Sequence, residues 1–143
     1  MVNIKDKLNG KILILGIGNS MKGDDGAGPA LASMVKNGIN AGVAPENYTG
    51  EIKRMKPDTL VMVDAIDFGG KPGCVRIIDE GKIGNISLST HNISLKTFTS
   101  YLKSEMPRLN ILLIGIQPKQ CGLGEELSSE VKESINNICT SLL

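Results

Sequence analysis

The segment Lys11-Ile12-Leu13-Ile14-Leu15 runs directly into Gly16-Ile17-Gly18. A continuous β-branched and leucine run of this length reads as a strand buried on both faces, as happens in a parallel sheet covered by helices. Residues 59–65 (Thr-Leu-Val-Met-Val-Asp-Ala) and 110–116 (Asn-Ile-Leu-Leu-Ile-Gly-Ile) follow the same pattern. Residues 75–78 make a further strand, entered through the turn Gly69-Gly70-Lys71-Pro72-Gly73. Between the strands lie helical spacings. Residues 29–37 place Leu31, Met34 and Val35 on one face before Gly38, and residues 45–55 carry a weaker pattern closed by Pro57. Leu95, Phe98 and Leu102 mark a helix capped by Asn92 or Ser94 and ended before Pro107. Residues 125–142 carry the stripe Leu127, Val131, Ile135, Ile138 and Leu142. The glycine-rich stretch 38–43 leaves room only for a very short second strand. This alternation predicts one three-layer α/β domain over 1–143, with a mostly parallel sheet and sites at the carboxyl ends of its strands.

Composition removes several functions. Sixteen Lys and Arg against fifteen Asp and Glu leave a net charge of +1, which is no footprint for nucleic acid or an anionic membrane. Aromatics are 3% of the chain, too few for base-stacking platforms. No apolar run approaches a membrane span, and the first ten residues hold no apolar signal core, so a cytoplasmic protein without membrane insertion is expected. Cys74, Cys121 and Cys139 are odd in number and form no C-x-x-C pair, against a disulfide framework or zinc cluster. Cys74 and Cys139 lie in apolar contexts and are expected to be buried; Cys121, between Gln and Gly, is expected to be exposed.

Three places at strand ends hold chemistry-bearing residues. The first is Gly16-Ile17-Gly18-Asn19-Ser20-Met21-Lys22-Gly23-Asp24-Asp25-Gly26. Met21 stands where a dinucleotide fingerprint needs its third glycine, and a pyrophosphate would meet two carboxylates, so no nucleotide is expected. The loop suits a cation better, although an Asp there can equally be a helix N-cap. The second is Asp64, a carboxylate ending an apolar strand, which must find a cation, donors or water at the mouth of the sheet. Asp67 follows it in the loop, where simple solvation is the alternative. The third is His91, the one histidine, in Ser89-Thr90-His91-Asn92. One imidazole and two carboxylates make an ordinary divalent-metal set with open positions, though a lone histidine more often only hydrogen-bonds. A serine triad lacks its Gly-x-Ser-x-Gly elbow, and Cys/His catalysis lacks an electropositive cysteine. An aspartic dyad of Asp25 and Asp64 is conceivable, but neither flank carries Asp-Thr/Ser-Gly.

With these residues in view, the chain resembles the maturation endopeptidases of [NiFe]-hydrogenases. The resemblance rests on Gly16-Ile17-Gly18-Asn19 with Asp24-Asp25-Gly26, on Val63-Asp64-Ala65, on Thr90-His91-Asn92 and on Gly115-Ile116-Gln117-Pro118, in this order and each beside a strand. The wording at Ser20-Met21-Lys22-Gly23 and Ala44-Pro45-Glu46-Asn47 is most similar to the branch serving membrane-bound, hydrogen-evolving hydrogenases. The resemblance implies a five-stranded mixed sheet with one antiparallel strand; between Pro29 and Pro45 the chain departs from the family by being several residues shorter, so a shortened second strand is expected. It implies a cytoplasmic, monomeric protease that removes a C-terminal extension from the hydrogenase large-subunit precursor after nickel insertion. By the same resemblance the nickel arrives with the precursor and is met by Asp25, Asp64 and His91, with Asp25 and Asp64 catalytic. Gly18, Asn19, Asp24, Asp67 and Thr90 are then expected to contact substrate. Two other classes stay open at this stage: a receiver-like, magnesium-dependent phosphoacceptor domain, favoured by the paired Asp, Asp64, Thr90 and Lys119, and a metal-binding maturation chaperone without protease activity.

Overall fold

The structure is a computed structural model describing residues 4–84 and 95–142. Its centre is a five-stranded sheet of β1 (Ile12–Ile17), β2 (Gly38–Gly42), β3 (Thr59–Ala65), β4 (Val75–Asp79) and β5 (Asn110–Ile116), in the order β2-β1-β3-β5-β4. β2, β1, β3 and β5 run parallel, and β4 pairs antiparallel with β5. The helices are α1 (Ala27–Met34), α2 (Thr49–Met55), α3 (Glu80–Ile83), α4 (Leu95–Glu105) and α5 (Ser129–Leu142). Among the described residues no helix is long and apolar enough to cross a membrane.

Alternation along the strands divides the core in two. Leu13, Leu15, Leu60, Met62 and Leu113 meet Ile52 of α2 and Leu95, Phe98 and Leu102 of α4 on one face. Ile14, Val61, Val63, Ile114 and Ile116 meet Leu31 of α1 and Val131, Ile135 and Ile138 of α5 on the other. β3 is buried at every position because it has a strand on each side and helices on each face. Burying a side chain such as Leu60 or Leu113 this completely contributes roughly 1.5–3 kcal/mol each.

Several element ends differ from the sequence expectation, each for a local reason. β1 continues through Gly16 and Ile17, because parallel partners on both sides extend the ladder past Leu15. α1 starts at Ala27 and stops at Met34, since Val35 is already extended (φ −116°, ψ 152°) on the way into β2; Met34 is therefore exposed. α5 begins at Ser129, not at residue 125, because the Ser128 hydroxyl accepts the Val131 N–H at 3.3 Å and caps the helix there. The single turn of α3 was not legible as a helix at all. Cys74 is exposed where burial was expected: it precedes the edge strand β4, in the turn closed by its own N–H to the Lys71 carbonyl at 3.0 Å. Cys139 is half-buried against the α5 side of the core, and Cys121 is exposed. The capping residues proposed for α4, Asn92 and Ser94, lie outside the described residues.

Candidate active site

The loop after β1 is built for a close approach. Gly18 has φ +144°, and a β-carbon there would collide with the Asp25 carbonyl oxygen. At Gly28 a β-carbon would strike the carbonyls of Ile17 and Val63, so only glycine lets the start of α1 rest on the ends of β1 and β3. The Gly18 N–H also donates to the Gly42 carbonyl at 2.8 Å, tying the end of β2 to the same corner. A 3-10 turn over Gly23–Gly26 results, packed against β3. It carries two adjacent carboxylates whose surroundings are opposite.

Asp24 is fully buried and accepts hydrogen bonds from the Lys119 N–H (2.8 Å), the Gln120 N–H (3.1 Å), the Ser128 N–H (2.7 Å) and the Ser128 hydroxyl (2.8 Å). Its own N–H donates to the Gln120 carbonyl at 2.7 Å, and the Gly23 N–H to the Glu125 carbonyl at 3.1 Å. Asp24 thus clamps the 119–128 loop onto the turn, and has no surface left to touch a substrate directly. It is not a helix cap either: the N-cap of α1 is Gly26, without a side-chain bond.

Asp25 keeps 6% of its surface, and its Oδ2 accepts the Asn19 N–H at 2.9 Å. Gly18 and Asn19 therefore shape the position of this carboxylate through the backbone. Asp64 stands next to the carboxyl end of β3, fully buried, in register with Gly115 of β5. Alternation puts it with Leu60 and Met62, on the face covered by α2 and α4. The sheet thus brings Asp25 and Asp64 to one mouth from two different strand ends. Among the described residues no group of three potential metal ligands comes together. His91 and Thr90 lie outside the described residues. The helix that follows them opens at Leu95, which is buried in the same cluster as Met62 and Ile66 beside Asp64.

Asp67 is exposed at the rim. Its Oδ1 accepts the Gln117 side-chain amide at 3.0 Å and the Gly69 N–H at 3.0 Å, and these donors, Gln117 foremost, hold its pKa below the usual carboxylate value. Gln117 is nearly buried and also accepts the N–H groups of Phe68 (2.9 Å) and Gly70 (3.1 Å) through Oε1. One side chain thus fixes the whole 67–70 loop over the end of β5. The sequence displayed Gln117 beside Pro118, but the bonding that gives it this task spans about 50 residues. Ser128 escaped notice for the same reason. Burial, and then the Asp25 and Asp24 carboxylates, push the pKa of the Cys121 thiol up, which suits neither a nucleophile nor a thiolate ligand at neutral pH.

Fold and site together define a three-layer α/β protein whose chemistry rests on carboxylates at the carboxyl mouth of its sheet. A family model described as hydrogenase maturation protease (HycI) matches residues 30–143, a stretch that contains Asp64, Asp67, Thr90 and His91. The hydrogenase 3 maturation protease of Escherichia coli K12 is 35% identical over 134 residues, covering 88% of this chain and 85% of that protein. The crystal structure of the [NiFe] hydrogenase maturation protease HycI from Thermococcus kodakarensis is similar at 39% identity and a TM-score of 0.86, over 97% of this chain and 95% of that one. The hydrogenase maturating endopeptidase HybD from E. coli shares the fold, at 21% identity and a TM-score of 0.76 over 94% and 90% of the two chains. The chain belongs to the hydrogenase maturation protease family. The receiver-like alternative fares badly on geometry too. A receiver needs both members of its acidic pair on one cation, whereas here Asp24 is turned away and saturated.

Proposed function

We propose that this chain is the endopeptidase that removes the C-terminal extension of a [NiFe]-hydrogenase large-subunit precursor once nickel has been inserted. It works as a single-domain monomer in the cytoplasm and recognises the nickel as part of its substrate. The observation that carries the proposal is the pair of buried carboxylates, Asp25 and Asp64, at one mouth of a family fold. Two carboxylates held out of water at the same end of the sheet are costly, and a divalent cation entering with the precursor and bound by both would offset their desolvation and repulsion. His91 supplies the third ligand in this scheme. Three protein ligands leave room for the precursor's own cysteines, so nickel is shared between the two proteins and only loaded precursor is held with its scissile bond at the mouth.

Hydrolysis then breaks the C–N bond, with water delivering hydroxyl to the carbonyl carbon and a proton to the departing amine. Asp25 or Asp64 takes the water proton as general base, and the precursor's nickel supplies Lewis-acid polarisation. Asn19 orients Asp25 through its N–H, Gln117 orients Asp67 at the rim, and Gly18, Asn19, Asp67 and Thr90 line the path of the peptide. Incubating the protein with nickel-loaded and nickel-free precursor tests the reading by intact mass. Loss of a C-terminal fragment from loaded precursor alone is expected. Equal cleavage of both forms would remove the nickel checkpoint, and binding without any mass loss would favour the chaperone class.

A further inference from the structure

Met21 and Leu123 are the two most exposed large apolar side chains described, at 69% and 74% of their free surface. They sit on different loops, one after β1 and one after β5, yet the Gly124 N–H donates to the Met21 carbonyl at 2.8 Å, so the loops are joined beside these two residues. Neither loop end is loose. The Asp24 clamp and the Gly23–Glu125 backbone bond hold the 119–128 loop on the turn that presents Asp25. Met21 is itself tied to the site: its N–H donates to the Asn19 side-chain oxygen at 2.9 Å, and the Asn19 N–H donates to Asp25 Oδ2 at 2.9 Å. Val43, 54% exposed, follows Gly42, whose carbonyl is bonded to Gly18 at the same end of the sheet. These apolar side chains are held out into water on loops that buried hydrogen bonds fix in place.

We propose that Met21 and Leu123 form an apolar docking pair that seats the body of the precursor protein beside Asp25. The inference rests on the protease reading above and names the surface by which the same site selects its partner. Continuity carries the choice of partner: Met21 is bonded to the 119–128 loop at Gly124 and to Asn19, which holds Asp25, so a protein presenting its peptide to Asp25 lies beside both side chains, and an apolar patch on it would cover them. The pair adds affinity that is the same in ground and transition states, so it acts on KM and leaves kcat alone.

The test compares Met21→Ser, Leu123→Ser and the double variant with Met34→Ser, an exposed methionine at the end of α1, as control. Precursor binding is followed by calorimetry and processing by mass. Each single change is expected to raise Kd and KM about tenfold, and the double more than either, with kcat and melting temperature unchanged and Met34→Ser silent. A double variant with wild-type Kd and KM overturns the docking pair while wild-type cleavage keeps the protease reading. Wild-type binding without cleavage overturns the protease reading, and Kd still decides the docking pair. No binding of precursor by the wild-type protein overturns both. If the double variant instead only dissolves a dimer of this chain, the pair is a self-interface and the proposal fails.

Discussion

Asp24 and Asp25 are consecutive, equally charged and nearly equally hidden, yet they do different work. Asp24 meets four donors on a loop roughly 100 residues away and is spent on holding that loop. Asp25 takes a local N–H from Asn19 and keeps a little surface at the mouth it shares with Asp64. The contrast teaches that a filled set of acceptor sites, as at Asp24, marks a structural carboxylate whatever motif it stands in. A buried carboxylate whose acceptor sites are filled by backbone and hydroxyl donors is held in place and has nothing to offer a metal or a water molecule.

The contrast breaks most visibly in paired amides. Asp25→Asn and Asp64→Asn should each lower processing of nickel-loaded precursor by about 10²–10⁴-fold, the range for losing a general base, while the melting temperature stays close to wild type. Asp24→Asn should do the reverse. It places an amide where two backbone N–H groups and the Ser128 hydroxyl converge on Oδ2, costing on the order of 3 kcal/mol in denaturant unfolding. Whatever remains folded should still cleave. Wild-type stability in Asp24→Asn would dissolve the distinction.

A smaller effect sharpens the picture at the rim. Gln117→Leu should free the 67–70 loop and let the Asp67 pKa rise toward its ordinary value, readable from the carboxyl chemical shift against pH. Because that pKa is lowered in the folded protein, its contribution to stability is present above the ordinary carboxylate pKa and fades as pH falls through the lowered one. The variant should lose this acid-side dependence. Smallest of all is Lys119→Ala. The Lys119 ammonium, 2.9 Å from Glu130, is the main cause of the Glu130 pKa falling to about 2. Removing it should return Glu130 toward 4.5 with little change in melting, since both side chains are exposed and water screens the pair.

How much of this the sequence displays depends on how local the cause is. The bounds of β3 and β5 were legible because every residue is set by burial on two faces, and so was Asp64, an ionisable group at the end of such a run. The start of α5 was not, because an apolar stripe beginning at Leu127 ignores the Ser128 cap. Cys74 misled for a similar reason: its neighbours are apolar, but β4 is an edge strand, and which strand lies at the edge is a property of the whole sheet. The roles of Asp24 and Gln117 were least legible, since their partners are about 50 to 100 residues distant. Motif order nevertheless identified the family, because the glycines that let the turn approach β3 stand beside the carboxylates they position.

The central claim is that nickel carried by the precursor is met by Asp25, Asp64 and His91. X-ray absorption at the nickel edge reads this directly, with loaded precursor measured alone and then mixed with wild-type protein, Asp25→Asn or Asp24→Asn. Oxygen and nitrogen ligands are expected to join the sulfur shell on mixing with the wild type and with folded Asp24→Asn, and Asp25→Asn is expected to lose part of that gain. A nickel spectrum unchanged by the wild-type protein while the precursor is being cleaved would contradict it.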